Sequence, residues 1–245
     1  MSAESSAETT VEFQDLLQRL NEVRTRLIRS FLFLLAASIL AYLFSERALD
    51  DMQARLPVGS EMIFLAPSEA FVARIKLALA GGLVLAFPFL MYQILAFVSP
   101  YLSRRDRRMG LLLIPLSFGL FLTGAGFSYA VMLPFALRFL LGFGAGELEP
   151  MLSISPFVNF VLFLVLPLGL IFQLPIVMVF LTRLGIVDPV VMARNRKYAV
   201  FAIFVISAVL TPADVFSQLL MAGPLLVLYE FSLLIARLAR RRPTP

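Results

Sequence analysis

Few side chains in this sequence can do chemistry, and most of those are carboxylates and arginines. The 245 residues include no His and no Cys. That removes imidazole relays, thiolate nucleophiles, disulfides and the usual nitrogen and sulfur metal ligands. Ser, Asp and Glu occur, but without a histidine base no conventional triad can be assembled. What remains is recognition of charge. Glu22 in LNEVRTRL and Asp106 in SRRDRRM each stand among arginines. A carboxylate matches the fork of a guanidinium bidentately, which a lysine ammonium does not reproduce. Glu22 and Arg26 are four apart in the favourable order for a helical pair. Asp106 can equally relieve repulsion among Arg104, Arg105, Arg107 and Arg108, and spacing alone does not bring it to Glu22.

Four further polar residues interrupt or border apolar runs. Gln173, in LIFQLPIV, is either a polar anchor in an internal groove or a hydrogen bond gluing two helices. Glu230, in LLVLYEFSLL, is a functional candidate because a carboxylate there needs protein, water or a cation beside it, and pairing with an arginine is the plainer reading. Asp214, after Pro212 in TPAD, can cap the helix that follows. Lys76 can snorkel to an interface. If Gln173, Glu230 and Asp214 lined one pathway, the chain would be a small-solute or ion secondary transporter.

The elements that must position these residues are set by composition. The chain is 60% hydrophobic and 15% charged, with mean hydropathy +0.90. These values describe an integral membrane protein and not a soluble domain. Six apolar segments, at 27–44, 75–98, 109–139, 157–181, 198–210 and 215–238, lie between clusters of basic residues. Sixteen of the 21 lysines and arginines fall in four groups: Arg19–Arg29, Arg104–Arg108, Arg183–Lys197 and Arg237–Arg242. The other five, Arg47, Arg55, Arg74, Lys76 and Arg138, share the opposite, more acidic face with Glu46, Asp50, Asp51, Glu61, Glu69, Glu147 and Glu149. That bias predicts an all-α integral membrane protein of six transmembrane helices with both termini cytoplasmic.

The fifth segment reaches only about 20 Å against a core of about 30 Å. Helices five and six are therefore expected to be shortened, forming a shallow hairpin that turns at TPAD. Residues 1–26 should form a polar N-terminus and an amphipathic interfacial helix, with Phe13, Leu16, Leu17, Leu20, Val23 and Leu27 on one side. Residues 27–238 form the membrane domain and 239–245 a basic cytoplasmic tail. The acidic start is unlike a cleavable signal peptide, so the first span is expected to persist. The net charge of +5 flanks apolar spans. Anionic lipid is thus the expected partner, and nucleic acid is not. No cofactor or metal is expected.

Read in order, six stretches resemble the TatC family, the multispanning receptor of the twin-arginine protein translocase. They are LNEVRTRL, APSEAFVARIKLAL, FPFLMYQILAFVSPYLSRRDRR, GAGFSYAVMLPFALRF, FQLPIVMVFLTRLGI and LTPADVFSQLLMAGPLLVLYE. The resemblance implies a multi-pass protein of the cytoplasmic (inner) membrane. It would bind twin-arginine signal peptides of folded cargo, associate with itself and with TatA- and TatB-type single-span proteins, and draw on the proton-motive force. It implies signal-peptide contacts at Glu22, Arg24, Phe97 and Asp106, a membrane-embedded groove at Gln173 and Glu230, and a partner-facing hairpin at Pro212 and Asp214. The sequence departs from the family pattern where Arg19 replaces a frequent His, where Asp106 replaces a frequent Glu, and where Gln173 replaces a Glu.

Overall fold

The computed structural model describes the backbone of residues 2–56, 61–98, 104–142, 151–211 and 215–239. Side chains are described from residue 20 onward, except 61, 98, 104–109, 216 and 239. Among these residues the fold is a helical bundle. Its order is α1 (Ser2–Tyr42), α2 (Ser45–Ala54), β1 (Glu61–Ile63), α3 (Glu69–Val98), α4 (Arg104–Phe127), a π-helical turn (Ser128–Met132) and α5 (Leu133–Gly142). Then follow β2 (Met151–Ser153), α6 (Ile154–Ile171), α7 (Leu174–Arg183), α8 (Pro189–Arg194), α9 (Arg196–Leu210) and α10 (Val215–Ala239).

Five described segments are long and apolar enough to cross a membrane: Leu20–Tyr42, Glu69–Phe97, Gly110–Gly142, Ile154–Arg183 and Ser217–Leu238. They correspond to the first four and the sixth of the expected apolar segments; the fifth, α9, is too short to be among them. Phe31, Ile39, Leu112, Phe201 and Val227 all point outward and are largely exposed. Water would not tolerate so continuous an apolar surface, whereas lipid tails do.

The core is built by helical periodicity. Along α6, Phe157, Val158, Val161, Leu164 and Leu168 recur at intervals of one, three or four and are buried. They share one buried cluster with Leu77 of α3, Leu133 and Leu137 of α5, and Met221, Leu225 and Leu233 of α10. The most extensive helix pair is α1 with α3. It depends on Gly82, where an added Cβ would lie 2.6 Å from the Cα of Ser38. Only a glycine admits another helix backbone at that distance.

Two prolines explain two irregularities. Pro134 offers no N–H to Ala130, and the preceding Leu133 N–H bonds instead to Ser128 in the wider π pattern. Pro175 offers none to Ile171, and the fourth span breaks at Phe172–Gln173 into α6 and α7. The end of α7 is a Schellman motif. Gly185 has φ +73°, with Ile186 N–H bonded to Leu181 O at 3.0 Å and Gly185 N–H to Thr182 O at 3.1 Å.

Four expectations need correction. The N-terminal amphipathic segment is not a separate helix, because α1 runs unbroken for 41 residues through position 26. The stretch between the first two apolar segments, expected only to be polar, contains α2 and β1, and its Glu69 and Arg74 already belong to α3. Lys76 does not merely reach for an interface but donates to Asn159 Oδ1 of α6 at 2.8 Å. Helix six is not shortened: α10 has 25 residues, about 37 Å of rise. The fifth apolar segment is short as expected, at 15 residues, about 22 Å. Two contacts fix α9 and α10 as an antiparallel hairpin: Gln218 Nε2 donates to Phe204 O at 3.1 Å, and Arg196 pairs with Glu230. Residues past Glu230 run on beyond the start of α9, which is where the extra length of α10 lies.

Candidate functional site

Glu22 stands near the middle of α1, on the helix face turned toward the far end of α3. Arg26, one turn on, holds it: Arg26 Nε donates to Glu22 Oε1 at 3.0 Å, and Nη2 donates to the same oxygen at 2.5 Å. The guanidinium also reaches across to α3, donating from Nη1 to Gln93 Oε1 at 3.3 Å and from Nη2 to Ala96 O at 3.3 Å. Arg26 is 23% exposed and Glu22 42%, so the cluster sits at a boundary between protein and solvent.

Beneath it lies an apolar groove of about 470 Å³ between α1 and α3, floored by Leu170 of α6. Val23, Leu27 and Ser30 line one wall at helical spacing, with Leu90, Ile94 and Phe97 on the other. Arg26 and Gln93 belong to its lining and mark its polar end. Phe87 closes the bottom and stacks on Phe121 with centroids 4.3 Å apart. The arrangement suits a ligand carrying a cation next to an apolar segment.

Other expected site residues are dispersed. Phe97 lines the groove. Arg24 does not, because two residues from Glu22 is the opposite side of a helix, and it is exposed. Asp106 has its backbone in the first turn of α4, and its side chain lies outside the described residues. Pro212 and Asp214 also lie outside them.

Gln173 is 7% exposed and engaged: Ser117 Oγ of α4 donates to its Oε1 at 2.6 Å, and its Nε2 donates to Ser117 O at 3.0 Å. This is the gluing arrangement of the two readings. Glu230 is half-exposed and paired with Arg196, Nη2 to Oε2 at 3.0 Å. Gln173 and Glu230 thus each have a partner of their own, and among the described residues the polar pathway of the solute-carrier alternative is not assembled.

The sequence reading missed a polar cap at the opposite end of the bundle. Tyr129, set by the π-helical turn, donates to Asp51 Oδ2 of α2 at 2.5 Å. Arg55 Nε meets the same oxygen at 3.1 Å, with its guanidinium 4.3 Å from the Tyr129 ring centre. The Tyr129 hydroxyl first, and then Arg55, hold the Asp51 carboxyl below its ordinary range. Asp51 in turn raises Arg55. Glu69 fastens the neighbouring strands, accepting from Ser153 Oγ at 2.7 Å and from Leu65 N–H at 2.8 Å. There β1 and β2 pair in parallel, Glu61 opposite Met151. The four-residue spacing of Asp51 and Arg55 was a usable signal, but nothing local pointed to Tyr129.

Comparison with known proteins agrees with this architecture. Residues 18–224 match the family described as Sec-independent protein translocase protein (TatC). The Sec-independent protein translocase protein TatC of Desulforapulum autotrophicum is 38% identical over 224 residues, covering 90% of this chain and 83% of the relative. That of Aquifex aeolicus is 38% identical over 232 residues, covering 93% and 96%. TatCy of Bacillus subtilis is 35% identical over 242 residues, covering 95% and 92%. A crystal structure of the twin-arginine translocase receptor TatC superposes with TM-score 0.79 at 38% identity, covering 91% of this chain and all of that one. A second, in DDM, gives TM-score 0.80.

Bundle, apolar surface and relatives define a multi-pass component of a protein translocase in the inner membrane. The described polar residues Gln173, Glu230 and Glu22 join helices or mark one groove mouth. The chain belongs to the TatC family and is a component of the twin-arginine, Sec-independent translocase.

Proposed function

We propose that this chain is the receptor for twin-arginine signal peptides within that translocase. Glu22 and Asp106 receive the paired arginines, and the apolar stretch of the signal enters the groove beside Phe97. The observation that carries this reading is the juxtaposition near the middle of α1: a half-exposed carboxylate directly above a 470 Å³ apolar groove. Charge steers the peptide and selects arginine, while burial of apolar side chains supplies most of the affinity.

In this reading both termini and the groove mouth face the cytoplasm. The short α9 counts as a fifth crossing, which makes six. Arg104, Arg105, Arg107 and Arg108 fix that orientation and contact anionic lipid. TatA- and TatB-type single-span proteins and further copies of the chain complete the translocase, and the proton-motive force drives export of folded cargo. Pro212 and Asp214 contribute to a partner surface.

The test is binding of a synthetic twin-arginine signal peptide to the purified full chain and to Glu22→Gln, Asp106→Asn and the double variant. Each single change is expected to weaken binding and the double change to abolish it. Unchanged affinity in the double variant removes the receptor assignment. Reporters placed after Arg108 and after Glu149 should lie on opposite sides of the membrane, and a shared side overturns the orientation.

A further inference from the structure

The Arg26 guanidinium is held by three acceptors drawn from two helices: Glu22 Oε1, Gln93 Oε1 and Ala96 O. None of the three is a chance surface contact. Gln93 is 9% exposed and lies 67 residues from Arg26 in sequence, so the fold has to bring the two together. A carboxylate, an amide oxygen and a peptide carbonyl around one planar cation form a cradle for a guanidinium. The chain fills it with a side chain of its own.

We propose that this cradle is a guanidinium-binding site and that Arg26 is its resting occupant. An arginine of the incoming peptide displaces it. The inference rests on the receptor reading above and adds Gln93 and the Ala96 carbonyl to the site, with Arg26 as an internal competitor.

Three physical arguments support the exchange. Replacing one guanidinium by another leaves the number of buried charges unchanged, so recognition avoids the desolvation cost of bringing a new cation to Glu22. Selectivity for arginine over lysine follows from geometry: a planar fork reaches acceptors on both helices together, and an ammonium does not. Finally, Arg26 both fills the cradle and lines the groove. Its departure toward solvent removes a link between α1 and α3 and opens the polar end of the groove to the apolar segment that follows the arginines. Recognition and admission then become one event.

The experiment measures the affinity of a synthetic twin-arginine peptide, and of its twin-lysine counterpart, for the full chain in nanodiscs. Arg26→Gln removes the competitor and should tighten arginine-peptide binding by about fivefold, the size of a part-exposed ion pair. The gain should vanish in Glu22→Gln/Arg26→Gln, which binds no better than Glu22→Gln. Arg26→Lys, which keeps the charge and serves if the glutamine variant does not fold, should tighten binding by a smaller factor. Gln93→Leu should narrow the preference for arginine over lysine while both peptides still bind, a readout that a purely structural role would not move. If both Arg26 variants bind at wild-type strength or weaker while Glu22→Gln weakens binding, the exchange is overturned and the receptor reading stands. If Glu22→Gln is itself without effect, the receptor reading fails as well.

Discussion

Gln173 and Ser117 exchange two hydrogen bonds across the break in the fourth span, one through the hydroxyl of Ser117 and one through its backbone carbonyl. The pair locks α4 to the junction of α6 and α7 where Pro175 has removed a backbone bond. Ser117→Ala leaves the Gln173 amide oxygen without its donor in a buried setting, at a cost of about 1–3 kcal/mol. The double change Ser117→Ala/Gln173→Leu removes both partners and should recover much of that loss. Thermal unfolding in detergent reports both. Equal midpoints for the single and double variants would show that the pair is uncoupled.

Gly82→Ala should be among the most damaging single changes in the chain. Its methyl group would enter the backbone of Ser38 at 2.6 Å, and overpacking of this kind costs about 1–3 kcal/mol or more. Ser38→Ala should not rescue it, because the clash is with backbone as well as with the hydroxyl. Gly223→Ala is the control: a Cβ there meets nothing within 4 Å, and helix propensity improves by up to about 1 kcal/mol. Yield of monodisperse protein and its melting temperature separate the two.

The Asp51–Tyr129 bond gives the cap a pH dependence of definite sign. The carboxyl is held below its ordinary value in the folded chain, so the folded state binds fewer protons there than the unfolded state. Its contribution is fully present above the unfolded value of about 3.9. It is lost as the pH falls through the lower, folded value. Tyr129→Phe should therefore lower the melting temperature at pH 7, and the gap from wild type should narrow toward pH 3. A gap that stays constant with pH would assign the loss to packing alone.

Arg196→Gln and Glu230→Gln should each change stability by no more than about 1 kcal/mol, since both partners are half-exposed. The coupling in a double-mutant cycle should shrink as salt is added. A loss well above this from Glu230→Gln alone, insensitive to salt, would restore the carboxylate as a buried functional group.

What could be read in advance depended on range. Charge clusters marked the spans because the positive-inside bias acts along the chain, and the Glu22–Arg26 pair followed from a spacing of four. The shortness of α9 was legible from its count of apolar residues. The break at Gln173 was half-legible: Pro175 marks the lost bond, but the partner of the Gln173 side chain lies 56 residues away at Ser117. The approach at Gly82, the Tyr129 contact and the pairing of β1 with β2 join residues distant in sequence, and no local period records them. Helix six misled because a turn signal in the sequence bears on where a helix begins, whereas α10 continues to Ala239, past its partner.

The strand pair at the cap has a consequence for biogenesis. Ser153 lies 84 residues after Glu69, and Met151 must arrive before Glu61 finds its place in the sheet. Chains emerge at about 5–20 residues per second. The β1 segment therefore waits seconds without its partner strand while two more spans are synthesised. Closing the cap is thus a late event in synthesis, possible only once both intervening spans have been made.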